Sequence, residues 1–196
     1  GTAAFYLLAV ANRLLKHPKA NRQVIPKVAR KAKQTLFVPH INSQVGLSFE
    51  YPIEWQKEES ARENVRIVTC RPPQTPEPEQ HELNVFVEML EDTPSLDEYK
   101  DISKRTLTEA LSSYSTICIQ QENTIQFAGR EGWEIIYTQA FEDKNCQAHE
   151  LRLWTVFTVC KDKAFCVQYI SSKDHSKYQK EVQHVTQTLR IHSGGT

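Results

Sequence analysis

Hydrophobic spacing switches between two periods along this chain, and the order of the switches constrains the fold more than any other feature. Leu83, Val85, Val87 and Met89 alternate with polar residues such as Asn84 and Glu88, the two-residue repeat of a strand with one buried face. Ser95-Leu96-Asp97-Glu98 then has the form of a capping box, in which Ser95 and Glu98 satisfy each other's free amides. It predicts a helix to about Ser112 with Leu96, Tyr99, Ile102, Leu107 and Leu111 on its buried stripe. Strands are expected before it at 47–51 and 65–70, and after it at about 116–127, 132–141, 150–160 and 164–170. Asp174 is expected to cap a last helix carrying Tyr178, Val182, Val185 and Leu189 at helical spacing. Strands, a helix, a run of strands and a final helix predict an α+β fold, a mainly antiparallel β-sheet sandwiched by helices. The grouping argues against a doubly wound parallel sheet.

A length of 196 residues allows one domain plus an extension. The boundaries expected are a basic helical N-terminal arm and linker over 1–45, a domain over 46–192 and a tail over 193–196. Charge marks the division. Residues 1–49 hold Arg13, Lys16, Lys19, Arg22, Lys27, Arg30, Lys31 and Lys33 and not one Asp or Glu, whereas the remainder holds sixteen cations against twenty-four acids. Within the arm, Phe5, Leu7, Leu8, Val10, Leu14 and Leu15 give residues 3–16 a helical apolar face that Pro18 ends, and Pro26 suits the first turn of a second helix. Residues 35–45 show no period and read as linker. Four prolines between Arg71 and His81 mark a mobile or extended loop. Ala3–Ala11 is apolar but too short to span a bilayer, and Ala9-Val10-Ala11 has the small-x-small form of a signal cleavage site.

Chemistry is sparse. Five cysteines, with no C-x-x-C and no N-x-S/T acceptor, suit reduced thiols in a reducing compartment. Glycine-rich phosphate loops, G-x-S-x-G, H-E-x-x-H and acidic calcium loops are missing from the sequence. Cys146, His149 and Glu150 could form a metal set, but a plain polar loop is the expectation. If Asp162-Lys163 is a two-residue turn, Cys160 and Cys166 point to opposite faces and share neither disulfide nor metal. Glu91-Asp92 and Glu142-Asp143 are adjacent pairs and suit loop ends better than a catalytic dyad. No catalytic residue, cofactor or metal is expected.

The body resembles the PsbP-like family, named for an extrinsic subunit of photosystem II, whose fold is shared by a Ran GTPase release factor. The matching residues begin with Gly46-Leu47-Ser48-Phe49, Tyr51-Pro52 and Trp55, and continue with Asn84–Glu88 and Ser95-Leu96. Phe127-Ala128-Gly129-Arg130-Glu131-Gly132-Trp133-Glu134-Ile135-Ile136-Tyr137, the hairpin from Val159 to Val167 and the closing helix complete the series. The resemblance implies an α/β/α sandwich and a non-enzymatic assembly or regulatory subunit. The five cysteines and the basic arm set the chain apart from plastid members. At the motif positions the roles expected are architectural. Pro52 closes an edge strand, Trp55 seals one end of the core, and Gly129 and Gly132 supply positive φ or close backbone approach.

The function expected is therefore a non-catalytic subunit of a larger complex, docked through Arg13, Lys16, Lys19, Arg22, Lys27, Arg30, Lys31 and Lys33. The surface they meet is acidic: other protein subunits, an anionic membrane or RNA, with no small-molecule substrate. Regulation of a small GTPase, or carriage of a small ligand in an apolar cavity between sheet and helices, are the alternatives. The arm also has two plainer readings, a targeting remnant or a segment folded back onto the acidic body. The compartment expected is intracellular, a mitochondrion or plastid, with the cytoplasm as alternative.

Overall fold

The structure, a computed structural model, describes residues 35–73, 79–111, 115–142, 146–172 and 175–192. Its strands are β1 (Phe37–Asn42), β2 (Leu47–Pro52), β3 (Gln56–Arg62), β4 (Val65–Arg71), β5 (His81–Met89), β6 (Thr116–Phe127), β7 (Arg130–Glu142), β8 (Ala148–Cys160), β9 (Lys163–Ser171) and β10 (Arg190–Ile191). Two helices accompany them, α1 (Leu96–Leu111) and α2 (Gln179–Thr188). β3-β4-β5-β9-β8-β7-β6 form one seven-stranded sheet and β1-β2-β10 a second of three. Every pairing is antiparallel. The α+β class read from the element order is the class found.

Each face of the large sheet carries its own core. Ile67, Phe86, Ile135, Leu153 and Phe157 pack with Tyr99 and Leu107 of α1. Leu83, Val85, Phe165 and Val167 pack on the opposite side with Val182 and Val185 of α2 and with Leu47 and Phe49 of β2. One layer is thus a helix, whereas the other is a helix joined to a small sheet. The central strands are covered on both sides, so β5 does not have the single buried face its alternation predicted: Asn84 and Glu88 are both 1% exposed. They stay polar because partners are supplied inside. Thr69 Oγ1 donates to Asn84 Oδ1 at 2.8 Å, and Tyr99 OH donates to Glu88 Oε2 at 2.8 Å.

Local chemistry explains several boundaries. Ser95 N–H donates to Glu98 Oε2 at 2.8 Å, and Glu98 N–H donates to Ser95 Oγ at 3.2 Å, the reciprocal pair of a capping box. The backbone amide and then the hydroxyl of Ser95 hold the Glu98 carboxyl below its ordinary range. Gly129, at φ +76, follows Ala128 in the two-residue turn between β6 and β7, where both residues need the left-handed region. At Gly132 an added Cβ would lie 2.9 Å from Phe127 Cβ and 2.9 Å from the Phe157 carbonyl oxygen, so close approach is what that position requires. Trp55 is buried with its ring edge-on to Tyr178 at 5.3 Å, closing one end of the α2-side core.

Four expectations are corrected. Residues 37–42, read as linker, form β1 along β2, with Phe37 opposite Pro52 and Phe37 stacked 3.6 Å from the His184 ring. β3 was missed because Gln-Lys-Glu-Glu-Ser-Ala-Arg has almost no apolar residue; it is an exposed edge strand held by backbone pairing to β4. The β8–β9 turn is Lys161-Asp162, with Cys160 opposite Lys163, one residue earlier than expected. Lys161 takes φ 58 there. The two-residue shift in pairing preserves parity, so Cys166 still lies in the α1-side core and Cys160 against the other. Finally, α2 begins at Gln179 after Tyr178, whose side chain makes no capping hydrogen bond. Asp174, Ser112, the Pro76 and Pro78 part of the proline loop, the 193–196 tail and all helical readings of 1–34 lie outside the described residues.

Candidate functional site

The eight arm cations, Arg13 to Lys33, lie outside the described residues, so the body itself is where a site has geometry. A cleft of about 610 Å³ opens between the first turns of α2 and the strands β6, β7, β8 and β9. Ile136, Trp154, Tyr169 and Val182 supply its apolar surface, and Gln121, Arg152, Gln179 and Gln183 supply polar groups. Strand alternation puts Arg152 and Trp154 on this face while Leu151 and Leu153 enter the α1-side core. The indole is fixed in place: Trp154 Nε1 donates to Glu134 Oε1 at 2.7 Å, and Asn123 Nδ2 donates to Glu134 Oε2 at 2.7 Å. Each carboxylate oxygen thus accepts one neutral donor. Among the described residues, the Arg152 guanidinium has no carboxylate within ion-pair distance. Sequence reasoning missed this site; its signal was the Leu-Arg-Leu-Trp alternation at 151–154, with a cation and an indole on the same face.

The space beneath α1 is different. It is apolar, bounded by Tyr99, Trp133, Tyr137, Phe157 and Cys166, and measures about 20 Å³. That is room for about one water molecule, far short of the several hundred Å³ of an ordinary ligand pocket. Burial and then the neighbouring Glu88 push the Cys166 thiol well above its ordinary range, and burial raises Cys70 to about 12. Both thiols are therefore protonated at neutral pH and chemically quiet. Cys146 and His149 are exposed, and no group of three metal-ligating side chains is found among the described residues. His149 instead lies stacked on Phe141, ring centroids 5.5 Å apart.

A titratable cluster sits where β1 approaches β3. Lys57 Nζ lies 3.3 Å from His40 Nδ1 and 2.8 Å from Glu59 Oε1. An ammonium only donates, so Nδ1 must accept and the ring proton sits on Nε2. Burial, then Lys57, lower the His40 pKa, and Glu59 opposes them more weakly. A His with a depressed folded pKa takes up its proton more readily when unfolded. Its contribution to stability is therefore constant above about pH 6.5 and is lost as pH falls below the unfolded value. The wild-type chemical-unfolding midpoint should drop between pH 7 and 5, and His40→Phe should remove part of that slope. An identical slope in the variant would contradict the assignment.

No family model and no curated protein sequence matches the chain. Solved structures do. The solution structure of PsbP (CyanoP) from the cyanobacterium Synechocystis matches at TM-score 0.59 and 12% identity, over 85% of this chain and 98% of that one. The crystal structure of the Ran-binding protein Mog1p of Saccharomyces cerevisiae matches at TM-score 0.51 and 10% identity, over 81% and 96%. At such identities the likeness speaks for the fold alone. The chain has the fold shared by PsbP and Mog1.

Proposed function

We propose that this protein is a non-catalytic subunit of a larger assembly, tethered by its basic N-terminal arm to an acidic surface, in the first instance that of other protein subunits. The observation that carries the reading is the charge split: eight cations without a counter-charge in residues 1–49, ahead of a body with an excess of acids. An acidic partner removes the repulsion among those cations and adds attraction that salt weakens. An anionic membrane or RNA has the same charge complementarity, and an organelle interior, mitochondrion or plastid, suits both the basic arm and the thiols. In support, one protein of this fold is described as Ran-binding, which also keeps regulation of a small GTPase as a second reading, tested by nucleotide-release rates.

Purification of the tagged full chain under mild salt should bring down a defined set of partners. Replacing Arg13, Lys16, Lys19, Arg22, Lys27, Arg30, Lys31 and Lys33 by glutamine should abolish that recovery and leave the body folded. Undiminished recovery by the neutralised chain would refute the tether. Any truncation should end before Thr35, because β1 starts at Phe37 and Thr35 Oγ1 already donates to Glu181 on α2 at 3.4 Å.

A further inference from the structure

We propose that the cleft between α2 and β6–β9 is a second docking site, and that its occupant is an extended peptide segment of a partner protein carrying a carboxylate next to an apolar side chain. The charge argument comes first. Glu134, which also lines the cleft, is held by Asn123 and Trp154, and Arg152 opens onto the cleft with no carboxylate at ion-pair distance among the described residues. A half-buried guanidinium offers paired N–H donors in a plane, the arrangement that a carboxylate meets with two parallel hydrogen bonds.

Shape and surface narrow the class further. The volume, about 610 Å³, exceeds what a single small side chain fills, and the cleft is open to solvent. Trp154 and Tyr169 form a rigid aromatic wall, since the Trp154 indole is held by Glu134 and Tyr169 is buried. Such a wall takes an aliphatic or aromatic side chain at little entropic cost. Gln121, Gln179 and Gln183 stand around it with side-chain amides, each able both to donate to a peptide carbonyl and to accept from a peptide N–H. Carboxylate, apolar group and flanking main chain are thus each matched by a feature of the cleft. None of the cleft's lining residues belongs to the arm's sequence, and the cleft adds to the tether reading the chemistry of a second contact.

The test uses the full chain, isotopically labelled, titrated with two capped hexapeptides: one with glutamates flanking Leu-Phe, the other with glutamines in their place. The acidic peptide should shift the Trp154 indole N–H and the backbone amides of Arg152, Gln179 and Gln183. The glutamine peptide should bind at least tenfold more weakly. Arg152→Gln should bring the two peptides to equal affinity, whereas Lys161→Gln, which removes a cation from the exposed β8–β9 turn, should leave the preference intact. Shifts confined to the arm residues 1–34 would overturn the cleft site while favouring the tether. No shifts at all, equal binding of both peptides, or equal losses in the two variants would also overturn it.

Discussion

Replacing Phe165 by alanine should cost the body about 4 kcal/mol, the middle of the range for deleting a buried Phe side chain. β9 lies between β5 and β8 in the seven-stranded sheet, so it is covered by a strand on each edge and a core on each face. Phe165 is 2% exposed and belongs to the cluster that joins the large sheet to β2 and α2. Its loss leaves a cavity that neither sheet can close without breaking register with Val87 and Thr158 opposite. A loss of that size corresponds to a fall of about 8–16 °C in the melting midpoint for a domain of this length. Leu36→Ala is the control: Leu36 is 63% exposed, and its truncation should change stability by less than about 0.5 kcal/mol. If both substitutions proved equally mild, the assignment of the α2-side core would be wrong.

Arg71→Met should be nearly as damaging for an electrostatic reason. Arg71 Nε donates to Glu82 Oε2 at 2.8 Å, and its Nη1 donates to Glu58 Oε2 at 3.1 Å. Glu58 is half in solvent, but the Glu82 side chain is only 7% exposed. Asn84 Nδ2 donates to the other Glu82 oxygen at 3.1 Å, and Thr69 completes the chain by donating to Asn84. Removing Arg71 strands a buried carboxylate with one neutral donor, and breaking such a pair typically costs about 3 kcal/mol or more. Arg71→Met with Glu82→Leu should recover most of the loss, because the penalty comes from the unpaired charge rather than from the missing bridge. Guanidinium unfolding of the two variants checks this; a double variant no better than the single would contradict the burial of Glu82.

Much of the fold was legible because its strongest elements obey a single period. α1 announces itself through Ser95 and Glu98 at one end and Tyr99 and Leu107 along its stripe, and the structure shows those contacts. β4 to β9 were found for the same reason. The failures have two physical causes. β3 is held chiefly by backbone pairing, and its run Gln56 to Arg62 carries no burial signal, whereas in β1 the polar His40 is the buried residue and the apolar Ile41 is exposed, so its apolar pattern misleads. β5 was assigned one buried face because Asn84 and Glu88 are polar, and a sequence does not display the Thr69 and Tyr99 donors that satisfy them from β4 and α1. The cleft was invisible for a related reason. Arg152, Trp154, Gln179 and Gln183 belong to β8 and α2, and only the packing of the first turns of α2 against the sheet brings them together.

Whether the arm reaches outward or lies against its own body is decided by calorimetry on the full chain and on residues 35–196 at low salt. An outward tether contributes nothing to the body, so the two melting midpoints should agree within about 1 °C. A self-docked arm would add its contacts to the fold, and its removal would lower the midpoint by several degrees, about 2–4 °C for each kcal/mol lost. That drop would contradict the tether.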